Sequence, residues 1–233
     1  MFPIEQEGEE GTIKSLHLSA RNNFITKVFG ILVYQLTLTF GFVFCAFHFP
    51  VFKTWIQQHW WMSIVAIVVA IICQYALFCY RNVARTVPLN YIVLTVFTLG
   101  YGYFVCAVTI QYPLKTVLYA AGLTLLMTIL VTIYSQFMGP EIIVVLGILI
   151  IAAILLVVGT IVSWFVHIGW LETAIGILGV IVFSIYLLFD ISIIIGNGER
   201  AIAIDEYIFA AIILYVDIIQ IFLYMLQALG GSD

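Results

Sequence analysis

Residues 173–229 read TAIGILGVIVFSIYLLFDISIIIGNGERAIAIDEYIFAAIILYVDIIQIFLYMLQAL. Two apolar runs, 173–196 and 207–229, flank a connection of glycine and charge, GNGERAIAID. Each run is longer than the roughly 20 residues that carry a helix across the hydrocarbon core of a bilayer. Each is interrupted by one aspartate, Asp190 in the first and Asp217 in the second. An ionised carboxylate at that depth costs at least a few kcal/mol, so it faces a bundle interior, finds a partner, or keeps its proton.

Outward from this stretch the pattern repeats. Uncharged stretches cover 28–52, 54–80, 86–114, 116–140 and 142–171. Over the 233 residues, 64% are hydrophobic and 9% charged, with a mean hydropathy of +1.20. A water-soluble domain carries roughly 25% charged residues, which excludes that class. The expected fold is an all-α membrane protein of seven spans, at about 25–49, 59–80, 89–110, 115–134, 142–165, 170–196 and 206–229. Pro50 and Pro113 read as stops after the first and third spans. Gly and Pro in SQFMGPE (135–141) mark the fourth-to-fifth connection, RNVARTVPLN (81–90) reads as a polar turn, and Asp205 as the N-cap of the seventh span.

Residues 1–22 differ from the rest. EQEGEEG places four glutamates before any apolar run, so this segment is expected as a solvated acidic tail, with 23–230 a single transmembrane domain. It lacks the basic start and apolar core of a signal peptide, which leaves insertion to the first span. With a cytosolic amino terminus, Lys14, Arg21, Lys27, Arg81, Arg85 and Arg200 lie inside and Lys53 and Lys115 outside, in keeping with the positive-inside rule. Trp55, Trp60, Trp61, Trp164 and Trp170 fall near predicted outer ends, as an interfacial belt would. The partner so far is the lipid bilayer; nothing points to nucleic acid. Cys45, Cys73, Cys79 and Cys106 form no CxxC pair and read as packing thiols.

Counted from the connection, Asp190 lies 7 residues before Asn197 and Asp217 lies 11 after Glu206, roughly 10 and 16 Å deep. The carboxylates are therefore within reach of each other across consecutive antiparallel helices. On the seventh span Gln220, Tyr224 and Gln227 follow Asp217 at +3, +7 and +10 on one face; on the sixth, Glu172, Tyr186 and Asn197 share the face of Asp190. Such a stripe is either a polar interior path or a set of hydrogen bonds holding a rigid core. Two touching carboxyls cannot both ionise cheaply and should hold one proton in common, which makes the pair a pH sensor in physical terms.

The run DEYIFAAIILYVDIIQIFLYMLQALG (205–230) resembles the last helix of the Lifeguard branch of the transmembrane Bax inhibitor motif family. LLFDISIIIGN (187–197), RTVPLNYIVLTVFT (85–98) and FITKVFGILVYQLTLT (24–39) resemble its sixth-helix, second-to-third-helix and first-helix patterns. The resemblance implies a seven-transmembrane-helix bundle with a central seventh helix wrapped by the other six. It also implies a Ca²⁺ leak across an internal membrane, endoplasmic reticulum or Golgi (plasma membrane as the other possibility), with suppression of apoptosis. Asp190 and Asp217 match the gating aspartates, and Arg85 or Arg81 the arginine that latches onto the sixth-helix aspartate. Departures are Asp190-Ile191-Ser192, where the family usually continues Asp-Thr-Gln, and a fourth-to-fifth connection whose one acid is Glu141.

On this reading the protein is no enzyme and has no cofactor. Ca²⁺ is the permeating ion, held transiently by Asp190 and Asp217, with Glu172 and Glu206 as further hard oxygen ligands and Gln220, Tyr224 and Tyr186 lining the path. One rival is a non-transporting modulator that binds apoptosis regulators or receptor channels. The other is an intramembrane aspartyl protease, whose Gly-x-Gly-Asp and Pro-Ala-Leu motifs are missing here. His17, His48, His59 and His167 show no zinc-ligand spacing.

Overall fold

The computed structural model describes residues 4–136, 143–166, 169–196 and 202–230, with side chains from Ser19 on, save those of Arg81, 143–148 and 164–166. Every regular element in the described residues is helical: α1 (Ile4–His48), α2 (Pro50–Gln58), α3 (Trp61–Cys79), α4 (Arg81–Arg85), α5 (Leu89–Thr109), α6 (Leu114–Ser135), α7 (Ile143–Val166), α8 (Gly169–Ile195) and α9 (Tyr207–Gly230). Backbone groups in a bilayer have no water to bond, so each span must satisfy its own amides, and a helix does so. Among the described residues six helices are long and apolar enough to cross a membrane: α3, α5, α6, α8, α9 and the Ser19–His48 part of α1. The fifth expected span corresponds to α7, whose described apolar stretch is Leu149–Ser163.

From Ile4 on, the segment expected as a solvated acidic tail is helical and continuous with the first span; its glutamates lie in the first turns, where negative charge favours a helix. Two local expectations are corrected. Pro50 does not merely end the first span. It opens α2 at the first helical position, where its missing N–H is no loss. Glu206, not Asp205, immediately precedes α9: the Ala210 N–H donates to the Glu206 carbonyl, and Asp205 sits in the preceding turn with its carboxylate on Arg85. The polar turn after α3 holds one short helix, α4.

Burial explains the arrangement. On α1 the buried positions Phe24, Val28, Ile31, Leu32, Gln35, Thr39, Val43 and Ala46 recur every three or four residues, one stripe on a long helix. α3 buries only Ala70 and Leu77 and exposes Val65, Val68, Val69, Ile71 and Ile72, a surface that suits lipid and not water. α9 is the opposite case: it is buried on most of its faces, from Ile208 to Leu226, and packs against α8, α1, α6, α5 and α3. The last helix is thus central, as expected. Among the described residues α7 has α8 as its chief neighbour, and its Leu156 clusters with Ile175 of α8 and Tyr224 of α9.

The most extensive pairing is between α8 and α9. Gly176 and Gly179 allow it: a Cβ on Gly176 would collide with the backbone of Ala228, and one on Gly179 with the ring of Tyr224. Small residues let two helix backbones approach where lipid gives no hydrophobic drive. Arg21, Lys27 and Arg85 gather at one end of the bundle, where Arg21 bonds the carbonyls of Ile202 and Ile193 and Lys27 lies 5.4 Å over the Tyr207 ring. At the other end Tyr112 lies against Gly230.

Candidate functional site: the buried aspartate pair

Asp190 on α8 and Asp217 on α9 face each other, their carboxyl groups close enough to interact directly. The helix register explains how. Gly176 opposes Ala228 and Gly179 opposes Tyr224, so Asp217 lies level with Tyr186 and Leu187, about one turn short of Asp190, or ~5 Å at ~1.5 Å per residue. Side chains on a helix lean toward its amino terminus. In an antiparallel pair those directions are opposed, and here each carboxyl leans toward the other and closes the gap.

The surroundings are unequal. Asp217 is buried and its Oδ2 has no hydrogen-bond partner, whereas Asp190 is half-buried. Among the described residues no lysine or arginine forms an ion pair with either. Tyr186 lies within electrostatic range of both aspartates and Tyr101 within range of Asp217. Gln220 donates from Nε2 to the Tyr101 hydroxyl at 3.1 Å. Below them the Thr39 and Tyr215 hydroxyls share a bond at 2.7 Å, and Gln35 donates to Thr98 at 3.1 Å. The interior thus carries a polar seam from α1 and α5 to α9.

The other expected residues divide. Gln220 and Tyr186 stand with the pair. The Tyr224 ring fills the notch at Gly179, stacks on Phe183 at 5.5 Å and clusters with Leu156 and Ile175, and Tyr224 lies within electrostatic range of Tyr101. A tyrosine ring opposite a glycine packs there because the missing Cβ leaves a slot of its width. Glu172 and Glu206 do not join the pair but mark opposite ends of the hairpin. Glu172, in the first turn of α8, lies near Tyr112, and Glu206 sits 3.4 Å from Arg85. Arg85 is not latched onto Asp190. Its guanidinium holds Asp205 at 2.8 Å along with Glu206, carboxylates that the end of the connection brings directly against α4. The Arg81 side chain, Asn197 and Glu141 lie outside the described residues.

Two participants gave no signal in the sequence beyond their residue type. Tyr101 sits among other aromatics in LGYGYF (99–104) with nothing to set it apart. Arg21 counted only as an inside charge, yet it is buried, donates 2.7 Å to Ile202 O and 3.0 Å to Ile193 O, and stacks 4.9 Å over Phe24.

A family model described as inhibitor of apoptosis-promoting Bax1 matches residues 21–233. Protein lifeguard 3 of Homo sapiens is 28% identical over 217 residues, covering 91% of this chain and 70% of the human protein. Its Mus musculus counterpart is 30% identical over 218 residues, with the same two shares, 91% and 70%. Protein LIFEGUARD 4 of Arabidopsis thaliana is 30% identical over 251 residues, 98% of this chain and 95% of the plant protein.

Proposed function

The chain belongs to this family of Bax inhibitors, and on that premise we propose that it is a pH-sensitive passive Ca²⁺ leak of an internal membrane, endoplasmic reticulum or Golgi. The gate is the Asp190–Asp217 pair, and modulation of apoptosis accompanies the leak. The observation that supports this is the contact between the two carboxyls inside a bundle of apolar helices, with Asp217 Oδ2 left unpartnered. With one proton between them the pair carries a single charge. Loss of that proton leaves two adjacent carboxylates, which only a hard cation can neutralise at that depth. The end that gathers Arg21, Lys27 and Arg85 is the cytosolic one on the positive-inside rule.

The test is Ca²⁺ flux into liposomes holding the purified full chain, measured across pH for wild type, Asp190→Asn and Asp217→Asn. Wild-type flux should vary with pH, and both variants should flatten that dependence. An Asp217→Asn protein with the wild-type profile refutes the gate. No flux from the purified wild type refutes the leak and favours the other reading, a modulator that acts by binding partner proteins.

A further inference from the structure

Three helices each bury an oxygen that has no hydrogen-bond partner: Thr124 Oγ1 on α6, Ser184 Oγ on α8 and Asp217 Oδ2 on α9. The three residues are 3%, 8% and 6% exposed. They also share one depth. Tyr112, just before α6, lies against Gly230 at the end of α9 and within electrostatic range of Glu172 in the first turn of α8. From that common end Thr124 is 12 residues along, Ser184 is 12 along, and Asp217 is 13 back. Each is therefore ~18–20 Å into the bundle at ~1.5 Å per residue.

The helix faces agree with the depth. Thr124 shares the buried face of α6 with Val117 and Ala120, and α6 packs on both α8 and α9. On α8, Ile175 marks the flank turned to α7, where it meets Gly159. Ser184 follows nine residues later, which at 3.6 residues per turn is the flank turned away from α7, and α6 is a further neighbour of α8. In a membrane helix a hydroxyl usually bonds back to the preceding turn. Thr128, Thr132 and Ser192 do so, to the carbonyls of Thr124, Thr128 and Leu188. Thr124 and Ser184 do not. Leaving a hydroxyl unpaired is costly where no bulk water reaches, and two of them stand at the depth of the unpaired Asp217 oxygen.

We infer that Thr124, Ser184 and Asp217 form a second stop on the path, where two hydroxyls and a carboxylate oxygen replace part of the water shell of a divalent cation. The site rests on the leak reading and deepens it. It lies just beyond the aspartate contact, level with Gln220, and its ligands are the hard oxygens that Ca²⁺ takes. Asp217 serves both places, one oxygen toward Asp190 and the other toward the hydroxyls.

Liposome flux of Ca²⁺ at one pH where the wild type conducts is compared for Thr124→Val, Ser184→Ala and Thr124→Ser in the full chain. Thr124→Val and Ser184→Ala should each lower flux by about tenfold, the scale of one lost charge-assisted contact. Thr124→Ser should restore it, and none of the three should shift the pH profile that the aspartate variants flatten. Wild-type flux in Thr124→Val and Ser184→Ala overturns the site and assigns the hydroxyls to trapped water alone. The second readout is thermal unfolding of the purified chain with and without millimolar CaCl₂. Ca²⁺ should raise the wild-type midpoint but not those of Thr124→Val and Ser184→Ala. If the wild type carries no flux, the leak fails while this dependence still upholds the site; equal Ca²⁺ response in all variants overturns it.

Discussion

Replacing Gly176 with alanine measures how closely the α8–α9 hairpin is set. An added Cβ would stand 2.5 Å from Ala228 N, 2.7 Å from its Cα and 2.8 Å from its Cβ. Ordinary carbon contacts lie at ~3.5–4.0 Å, so the helices must separate by about 1 Å. None of the three atoms is the end of a flexible side chain, and no rotamer change relieves the clash. Overpacking of this kind costs ~1–3 kcal/mol. Against it stands the gain in helix propensity, ~1 kcal/mol for glycine to alanine. The control is Gly122 on α6, where a Cβ meets nothing within 4 Å; Gly122→Ala takes the propensity gain alone. The propensity gains cancel in the difference between the two variants, so Gly176→Ala should unfold more easily than Gly122→Ala by ~1–3 kcal/mol, a factor of roughly 5–150 in the unfolding constant. Reversible denaturant titration in mixed micelles, followed by circular dichroism, reads this directly. Equal stability of the two variants would refute the close backbone approach and the register drawn from it.

Arg21→Ala should lower stability by ~1.5–3 kcal/mol in the same titration, because a charged donor leaves two main-chain acceptors, and Arg21→Lys should recover only part since an ammonium cannot reproduce the fork. Arg85→Ala should cost less than ~1 kcal/mol, an effect that high salt shrinks further, because Arg85 and its partners Asp205 and Glu206 are 42%, 54% and 34% exposed. Tyr101→Phe, which takes the acceptor from Gln220, should cost ~0.6 kcal/mol, the average for hydrogen bonds between membrane helices, and a loss of several kcal/mol would contradict that scale.

The spans were legible because a bilayer imposes length and polarity together. The runs expected at 59–80, 89–110, 115–134 and 170–196 match α3, α5, α6 and α8 to within two residues at either end. α2 and α4 were not legible: at 9 and 5 residues they carry no span signal, and Pro50 reads equally as the end of one helix or the start of another. The aspartates stood out because an acid in an apolar run has to be explained, and their depths along adjacent helices set the meeting. The seat of the Tyr224 ring could not be read from its own helix; Gly179, on the other helix, sets it. The partner of Arg85 was hidden for a related reason. Charge alone does not choose between Asp190, Asp205 and Glu206, and the close approach of α4 to the end of the connection does.

The aspartate pair lies between two fastenings of the same hairpin. Toward one end, Gly176 and Gly179 seat Ala228 and Tyr224 of α9 directly against α8. Toward the other, Arg21 bonds both Ile193 in the last turn of α8 and Ile202 in the connection, the Ile202 N–H returns to the Ile193 carbonyl at 3.2 Å, and Arg85 holds Asp205 and Glu206 at the entrance to α9. Splaying α8 from α9 would break contacts at both ends at once, and packed interfaces shift between discrete arrangements and do not stretch. The two aspartates are therefore held on a hairpin fastened on either side of them.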